Sequence, residues 1–510
     1  MPPRMPDLPV HSLAAFFPVR LEKPSPSDKR ADRERLAEAL TRCIGEELPV
    51  DIPLGVLREL PRFLRENDFA LSPALVFSEG RGSVAALQRT CLYGVALDVG
   101  STTIAASLFD LAEGRRVGGG ERENPQTAVG PDVLTRLHAA MGGAGAHLHR
   151  LLVEGINGLL LDLCREHGIV QSDIYALVAA GNTIMTHFLL DLPVENIPLE
   201  PYIPAAHHIG FLTPQETGLA ICPQGTVYVF PNVGSYVGGD VIAGVLSSGL
   251  HKGEAPSLLV DVGTNAEIVL GTREWLMVGA GAAGPALESG ISEAGMRAVE
   301  GAVFSVEIDR ESLAVRVRTL GGGVPRGICG SGMIELVAEL FAAGMIDGQG
   351  RFTSRAEEAG AVRELNGGKA FVIPVSQGSG LVVKEADIGN FLLSKAAMFT
   401  FLQVMVQSVG LAFGDVEKFY VSGAFGSGIN AVKAARIGMI PEKDGSAFVV
   451  MGNSSLKGAE MLLLDRFLLS DIERICMMIT YKEMNTDGDF MRLLPGALFI
   501  PHTDPGVLKG

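Results

Sequence analysis

The chain has 510 residues, 47% of them hydrophobic and 20% charged, with 63 glycines and a net charge of −16. That length has room for two to four domains with sizeable cores, and the acidic balance excludes a nucleic-acid partner, which requires clustered Lys and Arg. The six cysteines (Cys43, Cys91, Cys164, Cys222, Cys329 and Cys476) are too widely spaced for a disulfide scaffold or a ferredoxin-type cluster.

Residues 1–28 are proline-rich and broken by charges, so they read as an extended arm or linker and not as a signal peptide. Residues 29–90 form a small α+β module, with a helix over 33–44, an extended stretch over 48–52 and a short helix over 53–60. At Tyr93 the texture changes. A strand over 93–97 leads into Asp98-Val-Gly-Ser-Thr-Thr103, and a second strand follows over 104–110. A helix over 149–167, a strand over 174–180 and a helix from Ile184 come next, and Gly238-Gly239 opens a helix over 240–250. A strand over 257–260 then leads into Asp261-Val-Gly-Thr-Asn265, with another strand over 266–271. Later come a β-rich stretch over 302–319, a helix opened by 326–332, and an apolar helix over 396–413. A strand over 418–421 follows, then Ser422-Gly-Ala-Phe-Gly-Ser-Gly428, and finally a helix after Asn453. The apolar helix carries Thr400, Gln403, Gln407 and Ser408, which suits a buried core helix and not a membrane span. Alternating strands and helices predict an α/β fold of two lobes, 91–250 and 251–500, with 501–510 as a tail. Reduced cysteines and the lack of a membrane segment point to the cytoplasm.

The two Asp-Val-Gly units lie 163 residues apart (261 − 98) and match in order: apolar strand, Asp-Val-Gly-[Ser/Thr], apolar strand. That is a duplication at domain scale. In such a hairpin the glycine lets backbone amides approach phosphate, and hydroxyls add donors. The aspartate orients water on a Mg²⁺ that bridges the phosphates. A single copy is also an ordinary turn, whereas two copies imply two hairpins serving one polyphosphate. Neither a strand–GxGxxG–helix unit followed by an acid nor a GxxxxGK[ST] loop is present, so Rossmann and P-loop readings fail.

Taken together, the hairpins and later glycine turns resemble the superfamily of acetate and sugar kinases, heat-shock chaperones and actin (ASKHA). The closer resemblance is to the reductive activators of corrinoid proteins. It rests on residues 93–103, Asn124-Pro-Gln126 with Gly130-Pro-Asp-Val133, Gly181-Asn-Thr183 with His187, and 261–267. It continues through Ala282-Ala-Gly-Pro-Ala-Leu-Glu288, Gly327-Ile-Cys-Gly-Ser-Gly332, Lys395 and Gly423-Ala-Phe-Gly426, covering about residues 30–500. The resemblance implies a duplicated, actin/hexokinase-like (ribonuclease H-like) two-lobed ATPase. It also implies ATP-dependent reduction of cobalt(II) to cobalt(I) on a corrinoid protein of a methyltransferase system. The rival readings are a small-molecule kinase of the same fold and a non-enzymatic ATP-gated binding module. Relatives commonly carry an iron–sulfur domain, often N-terminal. No cluster is expected in this chain, so the expected electron source is a separate low-potential donor. A homodimer is left open.

On this reading Asp98 and Asp261 serve Mg²⁺ through water. Gly100, Ser101, Thr102, Thr103, Gly263, Thr264, Asn265 and Gly284 line the phosphates, and Gly423, Ala424, Phe425 and Gly426 receive adenosine. Asp240, opening a helix, is a candidate catalytic carboxylate that is equally a helix cap. Glu288 is a second-tier candidate, with Glu267 beside it. His187 is expected to be structural, and Cys329 a small buried residue in a tight turn.

Overall fold

A computed structural model describes residues 11–45, 48–263, 265–282, 293–365, 368–374, 380–423, 430–484 and 487–509. The chain divides into two units. The first holds Met1–Ser247 and Ser455–Met477, and the second holds Ser248–Ser454 and Met478–Gly510.

The first unit is organised on a six-stranded sheet. Its strands are β1 (Tyr93–Val99), β2 (Thr103–Asp110), β3 (Arg115–Glu123), β4 (Ile174–Ala180), β5 (Gly210–Leu212) and β6 (Thr226–Val229). They lie in the order β5-β6-β4-β1-β2-β3. β1, β4 and β6 are parallel, and β1, β2 and β3 form an antiparallel meander. β4 reads Ile-Tyr-Ala-Leu-Val-Ala-Ala and is buried at every position, as a strand covered on both faces must be. Helix α1 (Gly145–His167) buries Leu148, Leu152, Ile156, Leu159 and Leu163, a spacing of three and four that makes one apolar stripe. Helices α2 (Thr183–Leu189) and α3 (Gly239–Ser248) follow β4 and β6.

The second unit repeats the plan. Strands β7 (Ser257–Val262), β8 (Asn265–Gly271), β9 (Leu276–Ala282), β10 (Lys418–Gly423), β11 (Phe448–Gly452) and β12 (Ile479–Glu483) are ordered β11-β10-β7-β8-β9-β12. β7, β10 and β11 are parallel, and β7, β8 and β9 are an antiparallel meander. With the hairpin strand taken as first, both sheets run 3-2-1-4-5. β5 extends the first sheet beyond its fifth strand, while β12 extends the second beyond its third. Helices α4 (Gly330–Ala342), α5 (Glu385–Ser408) and α6 (Ser454–Leu464) accompany this sheet in sequence, and α6 carries the chain back to the first unit.

α5 is long and apolar enough to cross a membrane but is mostly buried among the side chains of the second unit. It begins at Glu385, ahead of the expected 396, because Asp387 in the first turn accepts the Lys384 N–H at 2.8 Å. Gly279 and Gly281 on β9 leave room for the Phe401 ring.

The ends of the chain depart from the sequence reading. The expected arm contributes strands at Ala14–Phe16 and Val19–Arg20, and Ala14–Phe16 pairs with Ala74–Ser78 in a four-stranded sheet. The hairpin of Ala74–Ser78 with Arg81–Ala86 was not expected from the sequence; its turn places Glu79 and Gly80 at positive φ. The apolar residues of the arm, Leu13 to Ala15 and Phe17, are buried, and prolines at the arm's margins masked that pattern. Nor does the second lobe run unbroken over 251–500, since residues 455–477 belong to the first unit.

The expected tail is also packed. Lys395, fully buried on α5, donates to the carbonyls of Ala497, Phe499 and Pro501 at 2.7, 2.8 and 2.6 Å. Burial pushes its ammonium down to about 7, and three carbonyl dipoles oppose that shift. Replacing Lys395 by Ala strands three buried acceptors, at roughly 1–3 kcal/mol each. The expected outcome is a lower melting temperature with accelerated amide exchange at 496–509, read by hydrogen–deuterium exchange mass spectrometry.

Candidate functional site

In each unit the carboxyl ends of the three parallel strands gather the residues that sequence reasoning singled out. Open α/β sheets bind ligands at such ends.

In the first unit β1 ends on Asp98-Val99, and the chain turns through Gly100, Ser101 and Thr102 into Thr103 on β2. A Cβ at Gly100 would collide with the Thr103 carbonyl oxygen, so the turn requires glycine. Its backbone is fastened from behind. Asn124 Nδ2 donates to Gly100 O at 2.9 Å, the Asn124 N–H to Thr102 O at 2.8 Å, and Arg136 Nη1 to Ser101 O at 2.6 Å. Arg136 is fully buried and also donates to Gly130 O at 2.8 Å. Asp98 is half-buried and accepts from Ser455 Oγ at 2.8 Å.

The turns after β4 and β6 meet. A Cβ at Gly238 would strike the Asn182 backbone, and the Asp240 N–H donates to Gly181 O at 3.3 Å. Asp240 is half-buried at the start of α3, where its Oδ1 accepts the Val241 N–H at 2.8 Å. That bond is of the helix-start kind. His187 is buried, with Nδ1 against Thr183 O at 2.6 Å and Nε2 accepting the Ala205 N–H at 3.1 Å. Both ring nitrogens are thereby used by the neutral form, and burial holds its pKa below the ordinary value.

In the second unit β7 ends on Asp261-Val262 and turns at Gly263. The ladder pairs Asp98 with Ala105 but Asp261 with Glu267, so the second hairpin is one residue shorter (105 − 98 against 267 − 261). Directly paired residues share a face. Glu267 therefore stands beside Asp261, where the first unit has an alanine. Ser422 at the end of β10 donates to Asp261 Oδ2 at 2.9 Å, and Ser454 reaches the same oxygen at 3.4 Å. Gly423 has φ 69°, and a Cβ there would collide with Asp261 Oδ1 and Val262 O. Burial pushes the Asp261 carboxyl above its usual value, while the hydroxyls of Ser422 and Ser454 act in the opposite direction.

Thr264, Gly284, Glu288, Ala424, Phe425 and Gly426 lie outside the described residues, as does the Asn265 side chain. Cys329 is buried, its Sγ donating to Val303 O at 3.3 Å. Sequence reasoning missed Asn124 and Arg136 as supports of the first hairpin. It also missed Ser422, Ser454 and Ser455 as partners of the aspartates. The available signal was position, because Ser422 precedes Gly423 and the other two follow Gly452-Asn453 at the end of β11.

Oxygen ligands of this kind suit a hard cation. Mg²⁺ keeps most of its waters and takes one or two carboxylates together with substrate phosphates. Asp98 in the first unit, and Asp261 with Glu267 in the second, are each carboxylates of that chemical type. Among the described residues no cluster of three or more His, Cys, Asp or Glu forms a direct protein cage.

A duplicated 3-2-1-4-5 sheet, with an aspartate ending the first strand of each copy, defines an ASKHA-type protein. Comparison with known families agrees. The C-terminal domain of RACo, described as the ASKHA domain, matches residues 255–509; the RACo middle region matches 93–253 and the RACo linker region 7–90. The chain belongs to this family, the RACo-type reductive activators of corrinoid proteins. It is 30% identical over 412 residues to the corrinoid activation enzyme RamQ of Eubacterium limosum, covering 78% of this chain and 69% of that protein. It is 25% identical over 433 residues to the [Co(II) methylated amine-specific corrinoid protein] reductase of Methanosarcina barkeri, covering 76% and 73%. Among solved structures, a reductive activator for a corrinoid, iron-sulfur protein superposes with a TM-score of 0.88 at 36% identity, covering 97% of this chain and 80% of that one.

A buried carboxylate without a neighbouring cation costs stability wherever it is ionised in the fold. With its folded pKa raised, Asp261 contributes nothing when protonated in both states at low pH; it destabilises increasingly once the unfolded chain ionises, and fully above the raised folded value. Asp261→Asn is therefore expected to raise the melting temperature at pH 7.5, with the gain fading as the pH falls toward about 4. Differential scanning calorimetry across that range checks it, and a gain that is instead largest at acid pH contradicts the burial argument.

Proposed function

We propose that this chain is an ATP-dependent reductive activator that returns a corrinoid protein of a methyltransferase system from cobalt(II) to cobalt(I), in the cytoplasm. The observation that carries the ATP part is the paired hairpin geometry, in which Asp98 and Asp261 each end a parallel strand beside a glycine turn. The corrinoid part is supported by what the relatives RamQ and the methylated-amine corrinoid reductase are described as doing.

Mg²⁺, when bound with ATP, neutralises phosphate charge. The chain's own residues then have defined tasks. Gly100 and Gly263 bring backbone close to phosphate, while Ser101, Thr102 and Thr103 offer hydroxyls. Asp98 in the first unit, and Asp261 with Glu267 in the second, offer carboxylates to waters of a hydrated cation. Asp240, fixed at the start of α3, orients the attacking water or caps the helix. Cobalt(II) is hard to reduce with cellular donors, and free energy from ATP hydrolysis shifts the population toward a state of the corrinoid protein that accepts an electron. That electron comes from a separate low-potential donor.

The test mixes the purified protein, ATP, Mg²⁺, a low-potential reductant and a cobalt(II) corrinoid protein. The expected result is the cobalt(I) absorption band, appearing only with ATP. ATP turnover indifferent to any corrinoid protein, with phosphate transferred to a small molecule, would replace this reading with the kinase.

A further inference from the structure

Serine hydroxyls hold both hairpin aspartates, and the two serines at the start of α6 are neighbours. In the first unit Ser455 Oγ donates to Asp98 Oδ1 at 2.8 Å. In the second, Ser454 Oγ and Ser422 Oγ lie 2.7 Å apart, and Ser422 reaches Asp261 Oδ2 at 2.9 Å. Ser422 also lies 3.2 Å from Gly452 O, and the Ser454 N–H points to Ser422 Oγ at 3.4 Å. One hydroxyl proton cannot serve three acceptors. The shortest path runs from Ser454 to Ser422 to Asp261. Ser422, Ser454 and Ser455 are 1%, 0% and 5% exposed, so exchange of these bonds to water is excluded.

An ordinary serine at a helix start accepts an N–H from its own first turn. Ser455 instead donates to a carboxylate 357 residues away in sequence. A carboxylate that accepts at one oxygen has its rotamer fixed, and with it the direction of its second oxygen. We propose that Ser455 at Asp98 in the first unit, and Ser422 with Ser454 at Asp261 in the second, are positioning residues that each set the aspartate of their own hairpin to receive waters of a hydrated divalent cation that accompanies nucleotide. The inference rests on the Mg²⁺–ATP reading above. The chain passes from the second unit to the first between Ser454 and Ser455, so one peptide bond joins the holders of both aspartates.

Isothermal titration of ATP into the full chain, once in EDTA and once in Mg²⁺, separates cation-dependent from cation-independent binding. For Ser454→Ala, Ser455→Ala and Ser422→Ala, affinity in EDTA is expected within about twofold of the parent, while the gain from Mg²⁺ falls roughly tenfold, the size of one hydrogen bond to a charged group. Ser455→Thr, which keeps the hydroxyl, is expected to restore the gain. A role confined to packing would weaken both conditions alike. Folded alanine variants that keep the full Mg²⁺ gain overturn the inference and leave the nucleotide reading standing. A parent protein that binds no ATP in either condition overturns both. Should Ser454→Ala fail to fold, the Ser455 Ala and Thr pair decides alone.

Discussion

A carboxylate at the end of a buried parallel strand is half withdrawn from water, and neighbours that donate to it offset that loss. That constraint organises both copies of the fold. At Asp261 the donors come from the next parallel strand, through Ser422, and from the turn after the one beyond, through Ser454. At Asp98 a donor is Ser455. The glycines follow from the same crowding. Gly423 must lack a Cβ because Asp261 Oδ1 and Val262 O occupy that space. Gly100 must lack one because its hairpin closes onto the Thr103 carbonyl.

Duplication of the 3-2-1-4-5 sheet gives two hairpins on one plan, but the ladders show that they are not equivalent. The second is one residue shorter and sets Glu267 beside Asp261, whereas the first sets Ala105 beside Asp98. Two acids on one face repel unless a cation or a proton is shared between them. Burial already presses Asp261 toward the protonated form, and its serines press back. The second hairpin therefore carries more uncompensated acid than the first. The first instead leans on Arg136, a buried guanidinium whose bonds to Ser101 and Gly130 end on neutral carbonyls. The first unit therefore sets a buried positive charge behind its glycine turn, and the second sets a pair of acids beside its own.

The division of sequence legibility follows from range. The hairpins could be read because strand, turn and return strand are contiguous, and the glycine requirement is local. The strand order was not readable, since it depends on which distant strands pair. The fifth strand of the second sheet, Phe448–Gly452, carries no motif of its own. The serines were invisible as a set for the same reason: Ser422 and Ser454 are 32 residues apart, and Ser455 and Asp98 are 357 apart. Short, proline-flanked strands such as Ala14–Phe16 escape because their apolar residues are too few to set a period. The packed end of the chain escaped because its anchor, Lys395, lies about a hundred residues upstream of the carbonyls it binds.

The positions of the thiols bear on how an activator of this kind shares its chemistry. Electron transfer through a cysteine-bound cluster needs several thiolates converging on one point. Here Cys164, Cys222 and Cys329 are buried, and burial holds Cys164 and Cys222 in the neutral form. Cys43 and Cys91 are exposed. The polar chemistry instead concentrates at the strand ends, around carboxylates, hydroxyls and glycine turns. Groups of that kind suit phosphate and hard cations and store no electron.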